Sequence, residues 1–233
     1  MALGRAGNGL PTAAHLAFQA AHAAARDEVG RALDVAGLTR ALAEAGFPSI
    51  AVRSAAAERR IFLRRPDLGR RLAEGEAARL AAAAVPGAIA FVVADGLAAE
   101  AVAAEAVPLV SRMGPALVRE GFKLAPVVIA EQGRVALGDE VGAALGAAAV
   151  AVLIGERPGL SAPRSMGVYL TWAPRTGRTD AERNCISNIR PGGLSSVGAA
   201  ETLLWLMREM VRRRLTGVSL KDERPGSARL AAP

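Results

Sequence analysis

The chain has 233 residues and a mass of 23.9 kDa, with 52% hydrophobic but only 3% aromatic residues. That length fits one large domain or two small ones, with a core assembled from Ala, Val, Leu and Ile rather than from rings. The formal charge of +7 comes almost wholly from arginine, since lysine occurs only at Lys123 and Lys221; the arginines are scattered and lack interleaved aromatics for base stacking, so nucleic-acid binding is not expected.

In chain order, residues 11–46 read as helical, opened at Pro11 or Thr12, punctuated by Gly37 and Gly46 and stopped by Pro48. Residues 49–63 carry β-favouring Ile50, Val52, Ile61 and Phe62 and are expected to pair as short strands. An alanine-rich helix is expected from Glu74 to Ala84, ended by Pro86 and Gly87. Beyond it the pattern changes to strand, turn and helix in repetition. Expected strands cover residues 88–93, 125–130, 147–154 and 167–172, with helices reaching Val107 after the first and Leu145 after the second. Ser195 or Ser196 is expected to cap a long helix from Val197 to Arg214. Continuous apolar strands alternating with helices predict a parallel sheet covered on both faces, hence an α/β fold.

The three turns after the first three strands each pair an acid with glycine: Asp95-Gly96, Glu131-Gln132-Gly133 and Gly155-Glu156. In a parallel sheet they would share one edge, where ligands bind in open α/β folds. Helix capping accounts for Asp95. It accounts poorly for Glu156, because Pro158 and Gly159 delay any following helix. The richest segment is therefore Leu153–Leu160, closing a buried run with a carboxylate, a guanidinium and two glycines.

Several chemistries lack their motifs. There is no Gly-x-Gly-x-x-Gly after a strand, no P-loop and no Gly-x-Ser-x-Gly elbow. Cys185, the single cysteine, forms no internal disulfide and has no histidine nearby in sequence. His15 and His22 lie seven residues apart, about 10 Å along a helix, too far to chelate one metal ion. No apolar run approaches the ~20 residues of a membrane span, and no signal peptide is evident, so a cytoplasmic location is expected. A ligand rim without a catalytic set fits a subunit that binds a cofactor for a partner.

Five segments then carry a resemblance: Leu3–Thr12 (LGRAGNGLPT), Ala94–Leu97 (ADGL), Glu131–Asp139 (EQGRVALGD), Ile154–Leu160 (IGERPGL) and Asn184–Arg190 (NCISNIR). In this order and spacing the chain resembles the small (light) subunit of ethanolamine ammonia-lyase, from about residue 3 to Lys221. The resemblance implies an adenosylcobalamin-dependent lyase converting ethanolamine to acetaldehyde and ammonia, with a TIM-barrel large subunit as partner and no membrane or nucleic acid. It implies a mainly helical region over residues 1–86, a Rossmann-like cobalamin-binding domain over 87–221 and a disordered tail over 222–233. It places the cofactor contacts of this subunit at Val135, Glu156 and Cys185, with no catalytic or metal-ligating residue. The Asp-x-His-x-x-Gly motif of base-off cobalamin proteins is absent, so base-on binding is expected. The family's N-terminal extension, linked to packaging in a bacterial microcompartment, is not seen before Gly4, so a free cytoplasmic complex is expected at least as readily as a packaged one. The alternative reading is a stand-alone Rossmann-like enzyme using another nucleotide-type cofactor.

Overall fold

The structure, a computed structural model, describes residue 9 and residues 11–224. Most of the Leu3–Thr12 segment and all but three residues of the 222–233 tail lie outside the described residues. The α/β class holds. Helices α1 (Thr12–Gly30) and α2 (Val35–Glu44) precede strand β1 (Ser49–Arg53), and the short helices α3 (Arg59–Arg64) and α4 (Glu76–Ala81) follow it. Then come β2 (Ile89–Ala94), α5 (Ala99–Arg119), β3 (Val127–Glu131), α6 (Leu137–Ala144), β4 (Ala149–Gly155), β5 (Met166–Trp172), β6 (Arg183–Ile189) and α7 (Ser196–Arg213).

One six-stranded sheet takes the order β1-β3-β2-β4-β5-β6. Strands β1 to β4 are mutually parallel, as expected, but β5 runs antiparallel to β4, and β6 antiparallel to β5. The sheet is therefore mixed. No crossover helix separates residues 155 and 166, and without one the chain must fold back on itself. Strand β1, within the mainly helical region expected over 1–86, joins the same sheet beside β3. Of residues 49–63, expected to pair as short strands, Ser49–Arg53 form β1, whereas Arg59–Arg64 coil into α3 with Phe62 buried.

The sheet's two faces bury separate cores. Alternate residues Phe91, Val93, Ile129, Leu153, Val168 and Leu170 pack beneath α2, α5 and α7. Their neighbours Val92, Val128, Ala130, Val150 and Val152 pack against α4 and α6. Helix α5 runs past Pro108 and Pro115 to Arg119, well beyond the expected end at Val107. Leu109, Val110, Met113 and Leu117 keep one stripe buried, which offsets the ~3 kcal/mol of an interior proline. Among the described helices α5 is also the one long and apolar enough to cross a membrane, contrary to the expectation that none would be. Its apolar stripe is taken up by the sheet and α7.

The single helical span expected over 11–46 is broken at Arg31–Asp34. Asp34 caps α2 by accepting from the Gly37 N–H at 2.9 Å, and a Cβ at Gly37 would stand 2.2 Å from the Asp34 carboxylate. Ser195 caps α7 as expected, accepting from Gly198 N–H.

Candidate functional site

Strand β2 leaves the sheet towards α5 on one face, while β3 leaves towards α6 on the other. Their carboxyl ends therefore diverge at a topological switch point, the usual position of a crevice in an open α/β sheet. The three acid–glycine turns do share this edge, since Ala94 stands beside both Ala130 and Ile154 in the register.

Asp95 does not cap α5. The N-cap of that helix is Ala98, without a side-chain bond, and the carboxylate near its first turn is Glu28 at the end of α1, which accepts from the Glu100 N–H at 2.8 Å. Asp95 points across the crevice instead. It accepts from Gln132 N–H at 3.0 Å, Gly133 N–H at 2.9 Å and Arg59 Nη1 at 3.1 Å, tying the turn after β2 to the turn after β3. It is fully buried. Burial pushes its carboxyl up to about 6, against the opposing pull of Arg59 and the two N–H groups. A carboxyl that holds its proton more tightly when folded adds stability that is complete below its ordinary value of 3.8 and is lost as pH rises through about 6. In Asp95→Asn that slope disappears. The wild-type minus variant unfolding free energy should therefore decline between about pH 4 and 6 and then level off. A flat difference across that window would place the titrating proton elsewhere.

The turn after β4 is packed against the turn after β2. Leu97 N–H donates to the Gly155 carbonyl at 3.0 Å, and a Cβ on Gly155 would meet the Asp95 and Ala98 carbonyl oxygens at 2.4 Å. Gly96, at φ +52°, would set a Cβ 2.2 Å from the Gly155 carbonyl. These glycines let the ends of β2 and β4 approach closely.

Glu156 follows Gly155 directly. Its Oε2 accepts from Ser165 Oγ at 2.7 Å and from Asn188 N–H at 3.1 Å, so β6 and the start of β5 orient the carboxylate. Oε1 lies over Gly167, where a Cβ would come within 3.0 Å of it, and it accepts no hydrogen bond from the described residues. Half-buried Tyr169, on β5, stands beside Cys185 of β6 in the register. Cys185 is exposed, yet desolvation pushes its thiol up, and the Glu156 charge adds to this. Cys185 is thus held as a thiol rather than as a nucleophilic thiolate. His15 and His22 are exposed on α1, where His15 bonds Gln19.

Two adjoining depressions cover this edge. One, of about 440 Å³, is lined by Gly96, Leu97, Ile154, Gly155, Glu156 and Arg157; the other, of about 470 Å³, by Arg70, Ala136, Arg178, Thr179 and Asp180. Arg134, Val135 and Tyr169 line both. Val135 and Glu156 therefore share one concave face, and Cys185 reaches it through Tyr169. Reasoning from sequence missed Tyr169, although its alternation with buried Val168 and Leu170 could have placed it on the opposite face of β5. It also missed Arg59 and Phe62, which the topology alone brings to the crevice. Among the described residues, no cluster of histidine, cysteine or acidic side chains could hold a metal ion.

A family described as ethanolamine ammonia-lyase light chain (EutC) matches residues 1–221. The ethanolamine ammonia-lyase small subunit of Pseudomonas syringae pv. tomato is 56% identical over 227 residues, which cover 96% of this chain and 79% of that protein. The small subunits of Azotobacter vinelandii (56% identical, 84% of that protein covered) and Xanthomonas campestris pv. campestris (55% identical, 84% covered) align over the same 96% of this chain. The chain belongs to the ethanolamine ammonia-lyase light-chain family, the small subunits of that lyase.

Proposed function

We propose that this chain holds adenosylcobalamin against the large, TIM-barrel subunit of a cytoplasmic ethanolamine ammonia-lyase, which converts ethanolamine to acetaldehyde and ammonia. The observation that carries this reading is that Val135 and Glu156 line one open, concave edge together with Tyr169, whose cross-strand neighbour is Cys185. A corrin is a broad apolar disc rimmed by amides. Val135 and the Tyr169 ring offer apolar contact, and Glu156 Oε1, oriented through Oε2 but without a partner among the described residues, offers an acceptor for an amide N–H. The donor set fits the group.

When bound, the cofactor supplies the homolysable cobalt–carbon bond that begins the radical chemistry. The residues of this chain bind and orient. Asp95 locks two of the three turns, Gly96 and Gly155 let the third approach, and Ser165 and Asn188 aim Glu156. None of them is placed to move a proton on substrate. Because the Asp-x-His-x-x-Gly motif of base-off cobalamin proteins is absent, we take the cofactor to be base-on. A spin-resonance spectrum of the complex showing histidine nitrogen on cobalt would contradict that.

The test is co-expression with the large subunit and an acetaldehyde assay with and without adenosylcobalamin. Activity should require both chains and the cofactor. A chain active alone with another nucleotide-type cofactor would favour a stand-alone enzyme instead. In the complex, Glu156→Ala should weaken cobalamin binding by about 1–3 kcal/mol, the loss of one buried hydrogen bond to a charged acceptor. Unchanged affinity would remove Glu156 from the site.

A further inference from the structure

Three arginines around the two depressions have no counter-ion among the described residues. Arg134 lines both, Arg70 lines one and Arg157 the other. Arg70 and Arg157 are exposed and form no ion pair or side-chain hydrogen bond among the described residues. Arg134 makes only a long contact, Nη2 to the Phe62 carbonyl at 3.4 Å, and its buried Nε has no partner. The acid closest in charge to Arg134 is Asp95, which is already committed to Arg59 and two backbone N–H groups. Arg178, which lines the same face, differs: Glu182 neutralises it, and the Trp172 and Ala173 carbonyls occupy its other N–H groups. Asp180 also lines that face, paired with Arg183 at 3.5 Å.

The position of Arg134 is built rather than incidental. Its guanidinium stacks on the Phe62 ring with 4.2 Å between Cζ and the centroid. Its N–H donates to the Gly69 carbonyl at 2.8 Å, and a Cβ on Gly69 would stand 2.9 Å from both Arg134 Cγ and Phe62. Gly69 makes the room in which the side chain lies. Burial, then the charges of Arg59 and Arg70, lower the pKa of Arg134, which fits a cluster of like charges awaiting an anion.

We propose that Arg134, flanked by Arg70 and Arg157, forms a subsite for a phosphate ester of the bound ligand. Guanidinium forks match phosphate oxygens in pairs, which an ammonium cannot do. The inference rests on the cobalamin reading above: the corrin side chains are neutral amides, and the anionic group of the molecule is the phosphodiester of its nucleotide loop. The same chemistry would also take a free phosphate, so the test must separate the two.

The experiment is spectral titration of the complex of this chain with its large subunit, using cobalamin, cobinamide and cobinamide phosphate. Cobinamide lacks the phosphate and nucleotide; cobinamide phosphate restores the phosphate alone. The wild-type complex should prefer cobinamide phosphate to cobinamide by about tenfold or more. Arg134→Ala should abolish that preference while leaving cobinamide affinity within about twofold, and the preference should shrink with added salt. Arg70→Ala combined with Arg157→Ala, at two exposed positions, serves the same purpose should Arg134→Ala fail to fold. Equal losses for both analogues, or no loss, would overturn the subsite. So would a variant that no longer assembles on gel filtration, which would assign the arginines to an acidic face of the partner. If the wild-type complex bound none of the corrinoids, the cofactor reading would fail, and calorimetry with inorganic phosphate would then decide the subsite alone. Binding lost in Arg134→Ala would uphold it, and no binding would end it.

Discussion

Arg183→Met is expected to lower the unfolding free energy by about 3–5 kcal/mol, the largest effect of any single substitution considered. Arg183 on β6 and Asp139 on α6 form a two-pronged pair, Nη1 to Oδ1 and Nη2 to Oδ2, each at 2.7 Å, with both residues buried. Nη1 also donates to Thr171 Oγ1 at 2.9 Å, and Nη2 to the Arg178 carbonyl at 3.1 Å. Methionine would fill much of the volume but leave the Asp139 carboxylate buried without its cation. Desolvation of an unpaired charge is what makes the single change severe. Arg183→Met combined with Asp139→Asn removes the charge as well and should recover part of the loss. Urea unfolding of the two variants and wild type measures both quantities. A single-variant loss below about 1 kcal/mol would mean that water reaches the pair, and that it contributes no more than a surface ion pair.

Gly155→Ala should cost about 3 kcal/mol of stability and strongly weaken ligand binding at the crevice. The new methyl would face three backbone atoms, Ala98 O, Asp95 O and Ala98 N, at 2.4 to 2.5 Å. Side chains can rotate away from an intruder, but these atoms belong to the turn that carries Asp95 and opens α5. Relief therefore has to come from separating the turns after β2 and β4. That movement breaks the Leu97 N–H bond to the Gly155 carbonyl and displaces Glu156, the next residue. Thermal unfolding should register the first effect and a binding titration of the complex the second. Wild-type affinity with lowered stability would show that the edge tolerates a shift of the Glu156 backbone.

How much of this was legible beforehand differs from residue to residue. The apolar runs at 88–93, 125–130 and 147–154 were readable because strands buried on both faces need no polar alternation. Their acid–glycine turns were readable too, as was their shared edge, because parallel strands end on the same side. The direction of β5 was not legible, since an apolar strand carries the same pattern whether it runs up or down. Helix α5 was expected to end at Val107, just before Pro108, while burial of Leu109, Met113 and Leu117 carries it on to Arg119.

The motifs from Ala94 to Arg190 identified the family and named Val135, Glu156 and Cys185, and composition fixed a core of small aliphatic side chains. These are properties of local order, written into consecutive residues and their periods. Tertiary structure alone decided that Asp95 bridges turns instead of capping a helix, that Glu28 takes over at the start of α5, and that Tyr169 joins Cys185 to the face shared by Val135 and Glu156. It also set Arg134 on Phe62 beside two unpaired arginines. Each of these pairs residues far apart in the chain, and a hydrogen bond, a ring contact or a buried charge leaves no periodic trace in either partner's own segment.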